Sequence, residues 1–148
     1  MALALLDSNV LVHAAYRASE LHGRAAELLD RGLRQKGVYC IAPQNIVEFA
    51  SVVTRPRFVD PVLPAAEVER IADLLYRSRT LAKIYPQRGT VSRMSREGAR
   101  LGIGGTAWYD LFLAMTMRDS GVDTIVTEDV SDFKKFPFVV ARRIRESA

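Results

Sequence analysis

A single cysteine, Cys40, stands among 148 residues. An internal disulfide is excluded, and the apolar neighbours Val38, Tyr39 and Ile41 mark Cys40 as a buried strand thiol rather than a nucleophile. Histidine is nearly as scarce. His13 and His22 with one thiol make a poor zinc set, and His13, next to Val12 at a helical start, reads as a packing or surface residue. No window approaches the roughly 18 apolar residues of a membrane helix. Met1 to Leu6 lacks the basic region and the length of a secretory leader. These absences predict a cytoplasmic protein with no membrane partner.

Several catalytic signatures are missing too. No Walker or Gly-x-Gly-x-x-Gly loop follows a strand, because Gly102-Ile103-Gly104-Gly105 comes after a helical segment and reads as its stop. No Gly-x-Ser-x-Gly elbow occurs. A haloacid-dehalogenase phosphatase needs a second Asp two positions after Asp7, where Asn9 stands. A phospho-receiver needs paired acids near its first strand and a lysine after its last, and neither is found.

What remains is an ordinary soluble composition, 49% hydrophobic and 26% charged, of a size that makes one core. The net charge of +4 favours an anionic partner such as nucleic acid. Apolar Ala2 to Leu6 predicts a strand covered on both faces, broken by Asp7-Ser8-Asn9, which suits a helix start. A helix is predicted over Leu21 to Leu33, stopped by Gly37, then a strand over Val38 to Ala42. Pro43 opens a helix to about Thr54, which Arg55-Pro56 ends. Pro64 opens another, with Val68, Ile71, Leu74 and Leu75 as its buried stripe. Leu81 to Tyr85 is a short strand, Ser92 to Leu101 a helix, and Thr106 the N-cap of a helix over Ala107 to Asp119. Thr124 to Val126 is a strand leading into the polar loop Thr127 to Asp132, and Phe138 to Val140 a last edge strand. Alternating strands and helices predict a parallel sheet with helices on both faces.

Four acids fall in informative places. Asp7 directly follows the first strand and Asp129 a later one, so both are predicted beyond the carboxyl ends of the sheet, where ligands bind. Asp7 serves equally as an N-cap. Asp110 lies on a small and apolar helix face with Thr106, Ala107, Leu113 and Ala114. A charge there needs a partner, either an arginine or a metal ion. Glu48 has the polar neighbours Gln44, Asn45 and Ser51, which suit a solvated glutamate. Clustered carboxylates raise each other's pKa unless a cation joins them. An oxygen-only set suits Mg²⁺ or Mn²⁺, and such sites serve phosphodiester cleavage. Arg93, Arg96 and Arg100 recur at helical spacing with Arg88 just before them, a candidate RNA-guiding stripe with a solvated face as the alternative. Lys134, Lys135, Arg142, Arg143 and Arg145 form a second basic group. Tyr16, Phe58, Tyr76 and Trp108 are expected mainly to fill the core.

At these residues the chain resembles PIN-domain proteins, and closest among them the VapC-type toxins of bacterial toxin–antitoxin pairs. Leu5-Leu6-Asp7-Ser8-Asn9-Val10-Leu11, Ile46-Val47-Glu48-Phe49, Tyr109-Asp110-Leu111-Phe112-Leu113-Ala114 and Ile125 to Phe133 match the four motifs of that family in order. The resemblance implies a single PIN domain over residues 1–148: a three-layer α/β/α sandwich with a mainly parallel central sheet. It implies a Mg²⁺- or Mn²⁺-dependent endoribonuclease acting on RNA, with a cognate antitoxin and a homodimer as its protein assemblies. The catalytic and metal-binding acids fall on Asp7, Glu48, Asp110 and Asp129, with Asn9, Thr127 and Asp132 in support. Asp129 and Asp132 compete for the fourth place, because many relatives carry Asn at the first position and an acid at the second. The resemblance leaves two other uses open, a housekeeping RNA-processing nuclease or a non-catalytic RNA- or protein-binding module. The intact acid set argues against the second.

Overall fold

A computed structural model describes residues 2–147. Its elements are β1 (Ala4–Leu6), α1 (Ser8–Ala15), α2 (His22–Arg34), β2 (Tyr39–Ile41), α3 (Pro43–Val53), α4 (Ala65–Arg77), β3 (Ala82–Lys83), α5 (Thr90–Leu101), α6 (Ala107–Asp119), β4 (Thr124–Val126), α7 (Val130–Phe133) and β5 (Val140–Arg142), closed by a 3-10 turn at Ile144–Glu146. The strands form one sheet in the order β3-β2-β1-β4-β5, parallel at every pairing. This is the α/β architecture expected from the sequence.

Adjacent strand residues point to opposite faces, and both faces are apolar. Leu6, Ile41 and Val126 pack with Val10, Leu28, Phe49 and Leu75 of α1 to α4 on one side. Leu5, Cys40 and Ile125 pack with Leu111, Ala114, Met115 and Phe133 of α6 and α7 on the other. Cys40 is fully buried, and burial pushes its thiol up to about 12, so it is the inert strand thiol its neighbours implied. β1 is the central strand. Its neighbours β2 and β4 lie on opposite sides, so the chain switches direction next to the carboxyl end of β1, where a crevice opens.

Local chemistry explains the ends of the elements. Lys83 on β3 donates to the carbonyls of Leu75, Ser78 and Leu81 at 3.1, 2.5 and 2.8 Å, closing the C-terminal end of α4. Gly102 ends α5 in the left-handed region at φ 65°, a conformation that costs an L side chain more than glycine. Tight packing joins α5 to α6, for a Cβ on Gly98 would lie 2.2 Å from the Trp108 ring.

The structure corrects several details. The last strand is Val140–Arg142, not Phe138 to Val140. Phe136 and Phe138 stack with ring centroids 6.2 Å apart and pack into the core before the strand begins. Leu74 is 52% exposed while Leu75 is buried, because α4 meets the core along one edge and Leu74 lies on the rim of a groove with Leu63 and Ile71. Thr106 stands at the N-cap position of α6 with helical backbone and makes no capping bond. Phe58 is 53% exposed, not core. Part of the loop after β4 is a turn of helix, α7. None of the described helices is long and apolar enough to cross a membrane.

Candidate active site

Asp7 follows β1 directly and is only 5% exposed. Its N–H extends the ladder by donating to the Val126 carbonyl at 3.1 Å, which fixes where the carboxylate emerges. Oδ1 accepts the Ser8 N–H at 2.8 Å and Asn45 Nδ2 at 3.4 Å. Oδ2 accepts the Thr127 hydroxyl at 2.7 Å. Asp7 therefore caps α1, one of the two sequence readings of it, and its carboxylate lies near Glu48 and Asp129. Despite three donors its pKa is raised from 3.8 to about 6, first by burial, with Glu48 and Asp129 adding repulsion.

Glu48 reaches the same place from α3. Its Oε2 accepts from Ser8 Oγ at 3.0 Å and its Oε1 from Gln44 Nε2 at 2.8 Å. Gln44 Nε2 also donates to the Tyr109 carbonyl at 3.0 Å. One amide thus ties α3 to α6 one residue before Asp110. Asp110 is half-buried, and its pKa is raised to about 6 by burial, then by Asp132; Lys135 offsets this in part, and Glu48 and Asp129 add to the rise. Asp129, after β4, accepts from Asn9 Nδ2 at 3.2 Å. Its N–H donates to Thr127 Oγ1 at 3.0 Å. Asn9 also donates to Thr127 Oγ1 at 3.0 Å and accepts the Glu128 N–H at 3.2 Å.

Asp7, Glu48, Asp110, Asp129 and Asp132 are thus electrostatically coupled around one crevice. Ser8, Glu48, Asp110 and Asp132 line an open cleft of about 600 Å³ there. Among the described residues none of these acids has a lysine, arginine or histidine in ion-pair contact; the ion pairs all lie elsewhere. Among the described residues, also, no three His, Cys, Asp or Glu side chains stand close enough to share one ion as placed. The donors are all oxygens, and Asp7 is buried without a counter-charge. That chemistry fits a hard divalent cation and not a soft one. His13 bonds Ser19 and His22 bonds the His13 carbonyl, so both serve the α1–α2 connection.

The arginine stripe fares differently. Arg93 is paired with Asp119 at 2.7 Å and Arg100 with Glu97. None of Arg88, Arg93, Arg96 and Arg100 lines the acidic cleft, whereas Arg55 does. Sequence reasoning passed over Arg55 because Arg55-Pro56 served there only as a helix stop. It also passed over Gln44 and Asn45, treating them as signs of a solvated helix face. Asn45 is fully buried, and its Oδ1 accepts the Ala42 N–H at 2.8 Å, which turns its Nδ2 toward Asp7. The usable signal was a polar pair at the start of a helix packed beside an aspartate-ended strand.

A family model described as PIN domain matches residues 4–139. Ribonuclease VapC48 of Mycobacterium tuberculosis is 30% identical over 141 residues, which span 95% of this chain and 94% of VapC48. Among solved structures, VapBC-1 from nontypeable Haemophilus influenzae has a TM-score of 0.63 at 13% identity, over 97% of this chain and 98% of that one. VapBC2 from Rickettsia felis, bound to a DNA fragment from the promoter, has a TM-score of 0.61 at 18% identity, over 95% and 98%. The structural likenesses speak for the fold, and the family model and VapC48 for descent: the chain belongs to the PIN domain family.

Proposed function

We propose that the protein is a divalent-metal-dependent endoribonuclease, the toxin of a toxin–antitoxin pair. One observation carries the reading: Asp7 at the end of β1, Glu48 on α3, Asp110 on α6, Asp129 after β4 and Asp132 on α7 act on one another electrostatically around one crevice, and among the described residues none has a cationic side chain in ion-pair contact. The name of VapC48 and the VapBC neighbours supply the class of substrate and the antitoxin partner; a second copy of the chain completes the assembly.

Asp7, Glu48, Asp110 and Asp129 are the residues that would hold Mg²⁺ or Mn²⁺, with Asp132 beside Asp110 at the rim. Bound there, the ion would offset charge at the scissile phosphate and make water a better nucleophile. Thr127 and Asn45 hold Asp7 in place. Ser8 and Gln44 hold the two oxygens of Glu48. Asn9 keeps Asp129 next to Thr127. These supports keep the acids in position before substrate arrives, the arrangement that electrostatic catalysis requires.

The test is cleavage of single-stranded RNA by purified protein in Mg²⁺ or Mn²⁺ and in EDTA, alongside Asp7→Asn and Asp110→Asn. Cleavage is expected only with metal, and to fall by about 10²-fold or more in each variant, with circular dichroism unchanged. Full activity in EDTA, or in a folded Asp110→Asn protein, would overturn the reading.

A further inference from the structure

We infer that the turn Arg55–Phe58 is the element that grips the RNA strand beside the acidic cleft, with Arg55 on a phosphate and Phe58 under a base. This rests on the ribonuclease reading and deepens it. Among the described residues that line the cleft Arg55 is the one cation, and it shares the cleft with Glu48, Asp110 and Asp132. A polyanion has to approach those acids, and a guanidinium on the cleft wall supplies bidentate phosphate contact there. Arg55 and Arg57 are exposed, and neither has an ion-pair partner among the described residues.

The turn is built to present these groups. Pro56 follows Arg55, and the Phe58 N–H donates to the Arg55 carbonyl at 3.0 Å while that of Val59 reaches the same oxygen at 3.3 Å. Phe58 projects into solvent with the Arg55 and Arg57 guanidinium carbons 5.7 and 5.8 Å from its ring centre. An exposed aromatic ring beside arginines is the kind of group on which single strands stack, tolerant of sequence because every base offers a π-face, with the guanidiniums adding cation–π contact. Arg88 and the α5 arginines lack this combination, because Arg93 and Arg100 are already paired and none of the four lines the cleft.

The experiment measures fluorescence anisotropy of a labelled 12-nucleotide oligo(U) over a range of salt, using Asp110→Asn protein in Mg²⁺ to prevent cleavage. Added to that background, Arg55→Ala is expected to weaken binding about tenfold at low salt and to reduce the slope of log K against log salt by about 0.7, one single-strand phosphate. Arg55→Lys restores the slope. Phe58→Ala is expected to weaken binding about tenfold with the slope unchanged, and Phe58→Trp to restore it. Parallel cleavage by protein with Asp110 intact separates the two readings. If that protein cleaves and the Asp110→Asn protein binds, while Arg55→Ala matches the latter in affinity and slope, the turn has no RNA role and the inference alone fails. If Phe58→Ala leaves RNA binding intact and instead abolishes capture of the antitoxin, the turn belongs to protein docking and the inference again fails. Absence of both cleavage and RNA binding overturns both.

Discussion

The hydroxyl of Thr127 lies 2.7 Å from Oδ2 of Asp7, although 120 residues separate them in the chain. Thr127 is fully buried, and its oxygen also accepts the Asp129 N–H and Asn9 Nδ2. A hydroxyl offers one donor and two acceptor positions, so Thr127 is saturated. It is the joint between the β1 and β4 sides of the site. Thr127→Val keeps the shape and removes all three bonds. It is expected to destabilise the protein by about 1–3 kcal/mol and to depress cleavage, while Thr127→Ser preserves most of both. Urea unfolding with a ribonuclease assay checks this; a Val variant equal to the parent in both would refute it.

The raised carboxyls set the pH response of the metal-free protein. The pKa values of Asp7 and Asp110 rise from 3.8 to about 6 in the folded state, so the folded chain binds more protons than the unfolded one between those values. Stability then falls as pH rises from about 4 to about 7. For buried Asp7 the difference corresponds to about 3 kcal/mol. Glu67, Glu97 and Asp119, each lowered chiefly by a hydrogen bond from an arginine, act in the opposite sense and only at the acid end. Melting in EDTA is expected to drop by about 5 °C or more over that range, and Mg²⁺ to reverse the loss at neutral pH. A flat or rising curve in EDTA contradicts the charge-burial argument.

Gln44 is expected to affect turnover more than folding. Its Nε2 serves Glu48 and the Tyr109 carbonyl, while its buried Oε1 has no hydrogen-bond partner. Gln44→Met removes that unmet acceptor along with the donor, so the melting temperature should hold. Loss of the tether should lower kcat by about tenfold, the scale for groups that orient a metal ligand. Unaltered kcat would show that Ser8 alone fixes Glu48.

Gly98→Ala tests how packing reaches the site. The added methyl would meet the Trp108 ring, two residues before Asp110, at an expected cost of about 1–3 kcal/mol. Trp108→Leu in the same chain should recover part of that stability, read from paired urea curves. An undisturbed single variant would mean that α5 yields freely.

The parts of this molecule that were legible in the sequence are those governed by local rules. Apolar runs ending in Asp7 and in Thr127 marked two strand ends, Pro43 and Gly102 marked helix ends, and the apolar flanks of Cys40 marked its burial. The acids were legible because a charge on the apolar face of α6 demands an explanation. What stayed hidden depends on contacts distant in sequence. Arg93 looked free until α6 brought Asp119 beside it. Leu74 and Leu75 are equally apolar, and only the angle at which α4 packs separates them. Phe138 has strand character, yet the guanidinium of Arg118 lies 4.7 Å from its ring centre and the stack with Phe136 keeps it out of the ladder. Asn45 and Gln44 read as solvent-facing because their partners come from β1 and α6.

Parallel pairing of β1 with β4, Leu5 opposite Ile125, has a bearing on synthesis. A chain emerging from the ribosome makes Asp7 first and the Asp129 turn more than a hundred residues later. Until β4 docks, β1 has one open edge, Asp7 lacks the Thr127 hydroxyl, and the acids are scattered. The carboxylates therefore come together only in one of the last steps of manufacture, when the strand that carries Thr127 reaches the centre of the sheet.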